Sequence, residues 1–196
     1  MVSKMISLKP VIEVPYGALE IEFAWEIVAL PQGCFLPLSD QLALSEIGFV
    51  VAILMDYNHV ATLADVLNAE ALLLPGGIGV FKDDQPHIMP GCCCGLESWR
   101  EWEEFAETER SPWCGHDPEA ILRKSEGRVS IEQKLYNETR HAELALSDYI
   151  EELKAVEKSL QGFVFSLEAW VSAVGFSEPG MLATKFNECF DIKARW

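Results

Sequence analysis

The chain has 196 residues, 49% of them hydrophobic and 23% charged, which is ordinary globular usage. That composition excludes a disordered chain, which would lack the apolar surface to offset its ordering entropy, and it excludes collagen-like and low-complexity classes. With 31 acidic residues against 15 basic ones the formal charge is −16, so phosphate backbones and anionic membranes are repelled while a cationic macromolecule is steered in.

The charge is uneven. Residues 1–119 carry a net −14 and residues 120–196 a net −2, an asymmetry that suggests an interaction face on the first part. Met1–Pro10 holds an apolar patch too short for a signal peptide. The longest apolar run, Ile47–Met55, has about half the length of a membrane span. The six cysteines are Cys34, Cys92, Cys93, Cys94, Cys114 and Cys189. Three are consecutive and the rest scattered, which is no secreted disulfide framework and predicts a reduced, cytoplasmic setting.

In chain order, Val11–Val14 reads as a short strand and Pro15-Tyr16-Gly17 as a turn. From Ala18 to Val28, Leu19, Ile21, Phe23, Trp25 and Ile27 alternate with Glu20, Glu22, Ala24 and Glu26. Period two predicts a half-buried strand with an acidic outer face. Ile47–Met55 is a continuous apolar run and predicts a buried central strand. A short helix is expected over 61–69, with Thr62 or Asn58 near its start. Pro75-Gly76-Gly77-Ile78-Gly79 matches no phosphate-loop pattern and reads as a turn. Ile78–Phe81, a polar turn at 82–86 and His87–Met89 read as antiparallel strands.

Ser98-Trp99-Arg100-Glu101 has the form of a capping box and predicts a helix over 99–109. Asp117-Pro118-Glu119 has the form of an N-cap followed by a first turn and predicts a short helix over 118–125. Ala142, Leu146, Tyr149, Leu153, Val156, Leu160, Phe163, Leu167, Trp170 and Val174 repeat in alternating steps of four and three. Such a heptad seam predicts one long helix, packed on its own sheet or paired with a second copy in a homodimer through residues 142–174. Ser177 is expected to cap a last helix over 178–190. The fold expected is a single α+β domain: a small, mostly antiparallel sheet with short helices in an acidic part (1–130), packed by a long C-terminal amphipathic helix and a final shorter one in a helical part (131–196).

Two constellations carry chemistry. In an extended chain Cys92 and Cys94 point the same way, as do Cys114 and His116. Three thiolates and an imidazole would form a tetrahedral zinc set, structural or hydrolytic. The competing reading is buried thiols that fill space. The second constellation is acidic and aromatic: Trp99, Trp102 and Trp113 among Glu101, Glu103, Glu104 and Glu107. Aromatic anchors ringed by charge resemble a binding hot spot for a basic partner, although the tryptophans also suit the core side of a helix. No nucleophile elbow, metalloprotease or kinase signature occurs, and no catalytic residue is assigned. The leading expectation is an acidic cytoplasmic binding module without catalysis, clamping a basic protein such as a nuclease as an immunity protein or inhibitor does. The alternative is a Cys/His metal protein.

Overall fold

A computed structural model describes residues 5–192; Met1–Lys4, part of the stretch read against a signal peptide, lie outside the described residues. Strand β1 (Ile6–Glu13) is the centre of the first sheet. It pairs antiparallel with β2 (Phe35–Pro37) and with β3 (Gly76–Lys82), and β3 turns back into β4 (Gln85–Ile88), giving the order β2-β1-β3-β4. Three further strands, β5 (Ala120–Ser125), β6 (Arg128–Lys134) and β7 (Thr139–Ala145), form a second antiparallel sheet in sequence order. With helices α1 (Leu44–Tyr57), α2 (Leu63–Asn68), α3 (Glu101–Thr108), α4 (Leu146–Ala173) and α5 (Pro179–Cys189), the class is α+β.

The hairpin of β3 and β4 forms where alternating apolar runs flank a polar turn, and Asp83 and Asp84 supply the left-handed turn residues. Gly76 and Gly77 belong to β3 and not to a turn. A Cβ on Gly76 would stand 2.1 Å from the Val11 carbonyl oxygen, so only glycine lets β3 lie this close to β1. The second sheet was not expected. Asp117 caps no helix; the chain passes directly into β5, and β6 and β7 occupy the start of what reads as the helical part. Val129, Ile131, Ala142 and Leu144 are buried on one face of these strands while their neighbours are exposed or half-exposed. That is period-two burial in strands too short and too charged to stand out in the sequence.

The run 47–55 is helical, the centre of α1. All nine of its residues are buried, so the helix has no polar face and its sequence carries no helical period; length alone distinguishes it from a strand. Glu46 accepts a hydrogen bond from the Ala43 N–H (2.7 Å) at its start. At its end Asn58 donates to the carbonyls of Leu54 and Leu73, both at 2.7 Å. The segment 18–28 keeps its alternation of half-buried and exposed residues but pairs with no strand. It lies on α1: the Trp25 indole donates to the Gly48 carbonyl (2.9 Å) and meets the Trp170 ring edge-on at 5.0 Å. Edge-to-face rings at this separation add to the area they bury.

Thr62 caps α2, accepting from the Asp65 N–H at 3.1 Å. Ser98 ends a 3-10 turn, Leu96–Ser98, and α3 starts after Arg100 without a side-chain cap. Neither does Ser177 cap α5, whose N-cap position is Glu178. The heptad seam forms α4 from Leu146 onward, with Ala142 in β7; Arg140 and His141 are likewise strand residues. Tyr149, Leu153, Val156, Leu160, Phe163, Leu167 and Trp170 are all buried within the chain, where α4 crosses β1 and packs on α5, α1 and α3. These seven seam residues belong to the chain's own core.

Candidate metal centre

The loops leaving β4 and entering β5 lie side by side, and backbone bonds hold them. Gly91 N–H donates to the Cys114 carbonyl (2.8 Å), His116 N–H to the Cys92 carbonyl (3.0 Å) and Cys92 N–H to the Asp117 carbonyl (3.1 Å). So close an approach needs glycine. Gly115 has φ +92°, and a Cβ there would stand 2.5 Å from the Gly91 carbonyl carbon. Gln133, on β6 and almost fully buried, donates through Nε2 to the carbonyls of Met89 (2.6 Å) and Pro118 (3.2 Å), one from each loop. It is the residue that sets the two loops on the second sheet. Sequence reasoning missed it, because one glutamine in a polar strand carries no signal.

Cys93 is in the left-handed region at φ +63°, so the stretch 92–94 is a turn and the expected match of Cys92 with Cys94 is broken. The turn brings a different set together. The sulfurs of Cys92 and Cys93 and a ring nitrogen of His116 all lie within 4.8 Å of one another, and all three residues are exposed. Cys94 and Cys114 are buried beneath them. Each of these thiols points at a backbone carbonyl 3.6 Å away, Cys94 at Trp113 and Cys114 at Pro112. Burial, reinforced by the charges of Glu97 and Glu101, pushes the Cys94 thiol up to about 12. Burial also holds the Cys114 thiol far above its usual range. Both keep their protons at neutral pH and serve as small hydrophobes. Of the expected quartet Cys92, Cys94, Cys114 and His116, the structure gathers Cys92 and His116, adds Cys93, and sets the other two in the interior.

The Trp113 indole frames the cluster. Its ring meets His116 edge-on at 4.6 Å, and its Nε1 donates to the Cys93 carbonyl at 3.2 Å. The Trp113 N–H donates to a Glu101 carboxylate oxygen at 2.7 Å. Trp99 and Trp102 are interior residues: the Trp99 indole donates to the Phe190 carbonyl (2.7 Å), and the Trp102 carbonyl accepts from the Tyr149 hydroxyl (2.7 Å). Both rings are buried and neither is offered at the surface. Glu103 pairs with Arg100 at 2.7 Å, while Glu104 and Glu107 stand exposed on α3. Compared with known proteins, the chain matches no family model, no curated protein and no solved structure. Among the described residues no helix is long and apolar enough to cross a membrane.

Proposed function

We propose that the protein binds a thiophilic metal ion, zinc above all, through Cys92, Cys93 and His116. One observation carries the reading: two sulfurs and an imidazole nitrogen lie within 4.8 Å of one another on a framed surface turn. Zinc bonds of about 2.3 Å to sulfur and about 2.0–2.1 Å to nitrogen, at tetrahedral angles, require separations of about 3.5–3.8 Å, so a side-chain adjustment of about 1 Å completes the set. Three protein ligands leave the fourth position open to water or to a ligand oxygen, which is the arrangement of a reactive rather than a closed structural zinc. The Cys93 thiol is held above its usual range by its hydrogen bond to Cys92 and by the charge of Cys92. Zinc must displace that proton, so zinc affinity rises with pH.

The test is elemental analysis of the reduced, desalted protein after equilibration with zinc. One zinc per chain, lost in Cys92→Ser and in His116→Ala, supports the reading; a wild-type protein that emerges without zinc overturns it.

A second reading, the acidic binding module for a basic protein, keeps its charge and one exposed aromatic, Trp113, now that Trp99 and Trp102 are interior. Its support is the row of exposed carboxylates at Glu20, Glu22 and Glu26 on the 18–28 segment, with Glu104 and Glu107 on α3. Its signature is an association rate with a basic protein that falls steeply with ionic strength and with reversal of those charges. Binding that ignores salt would overturn it.

A further inference from the structure

A cleft of about 510 Å³ opens between the end of β1, the start of β2 and the loops around Met89 and Pro118. Its volume is that of a small-molecule site. The walls are largely apolar, with Phe35, Met89 and Leu135 among them and Tyr16 at the rim.

The charges in the cleft are unbalanced. Glu13, the last residue of β1, is half-buried, and among the described residues no basic group lies within ion-pair distance of its carboxylate. Burial holds that carboxyl above its usual range, as expected of a desolvated charge lacking a counter-charge. Among the described residues Arg140 is the one cation in the lining, and its charge is already paired. Its Nε donates to the Glu138 carboxylate at 2.7 Å and its Nη1 to the His87 carbonyl at 3.0 Å. Asp117, also in the lining, adds a second negative charge.

An anionic ligand would meet net repulsion here. A neutral apolar ligand would bury Glu13 further with nothing to pair it. A protonated amine satisfies both sides: its charge answers Glu13, the aromatic side chains of Tyr16 and Phe35 belong to the lining and are the residue types that attract a cation, and its apolar body covers the remaining wall. The overall charge of −16 raises the local concentration of any such cation.

We propose that this cleft binds a small organic cation, an ammonium group on an apolar body of about six to eight carbons, with Glu13 as its counter-charge. The site is independent of the metal reading: Cys92 borders the cleft, but the proposal gives it no role.

The experiment is a calorimetric titration of the reduced 196-residue chain, kept metal-free by a chelator, with hexylammonium chloride, sodium hexanoate and hexanol in parallel. Saturable binding of one hexylammonium per chain is expected, with hexanoate and hexanol weaker by about tenfold or more. Glu13→Gln should lower the hexylammonium affinity by about tenfold while unfolding stays cooperative. Phe35→Leu, which keeps the apolar volume and removes the ring, should lower it about threefold. The proposal is overturned if the folded wild-type chain does not bind hexylammonium saturably, or if hexanoate or hexanol binds as well. Unchanged affinity in a folded Glu13→Gln protein overturns it too. Should that variant not fold, unchanged affinity in Phe35→Leu has the same force. Because chelator is present throughout, the outcome is separate from whether zinc binds at Cys92, Cys93 and His116.

Discussion

Helix α4 and the paired loops 91–94 and 112–118 are held by different forces. The helix is kept in place by side chains: Tyr149, Leu153, Val156, Leu160, Phe163, Leu167 and Trp170 fill the space between β1, α5 and α1. Apart from the Gln133 amide, which ties both to the second sheet, the loops are kept in place by backbone bonds and by the missing side chains of Gly91 and Gly115. An element held by side chains writes its period into the sequence and tolerates small changes of volume. A site held by backbone approach leaves almost no pattern and tolerates no added atom where the chains touch.

The largest expected effect lies in the helix. Trp170→Ala should destabilise the fold by about 3–5 kcal/mol, read as a lower urea midpoint, because the ring fills the space between α4 and Trp25. In a variant still folded, zinc binding should persist. Gly115→Ala tests the other side of the contrast. It places a Cβ against the Gly91 carbonyl in the left-handed region, at a cost of about 1–3 kcal/mol, and should abolish zinc binding although it alters no ligand. A Gly115→Ala protein with full zinc occupancy would show that the crossing is looser than its geometry.

The two thiol layers sharpen the same point at smaller scale. Cys114→Ala removes one buried sulfur and should cost about 1 kcal/mol with zinc binding intact. Cys92→Ser, on the exposed layer, should change stability by less than about 0.5 kcal/mol and abolish zinc binding.

The smallest effect concerns pH. Burial raises the Glu13 carboxyl in the folded chain above its unfolded value. The native state therefore holds that proton more tightly, and stability falls as pH rises from the usual carboxylate range through the raised value. Glu13→Gln should be more stable than wild type at neutral pH and equal to it in acid below the usual carboxylate range, as measured by thermal unfolding of the ligand-free chain.

What could be read from the residues follows the same division. The seam of α4, the Thr62 cap of α2 and the hairpin of β3 and β4 were legible because side-chain period or cap chemistry encodes them; the position of α5 was legible too, although Ser177 does not cap it. Residues 47–55 were not, since a helix buried on every side loses its period. The alternation at 18–28 correctly marks which residues face inward, yet alternation cannot say whether a neighbouring strand exists to pair with. Asp117-Pro118-Glu119 carries the form of a helix start in a segment whose backbone bonds tie it to Cys92 and lead it into β5. At the site, Cys92 and His116 were legible as a pair of chemical types. Cys93 was not, because its place in the cluster depends on one left-handed residue in a loop assumed to be extended. Trp99 and Trp102 look alike as anchors or as core; only the packing of α3 decides between them.

The most direct test of the central claim is zinc stoichiometry by elemental analysis of the reduced wild-type protein beside Cys93→Ser and Cys94→Ala. The turn at Cys93 predicts one zinc per chain in the wild type and in Cys94→Ala, and none in Cys93→Ser. Zinc kept in Cys93→Ser and lost in Cys94→Ala would contradict it.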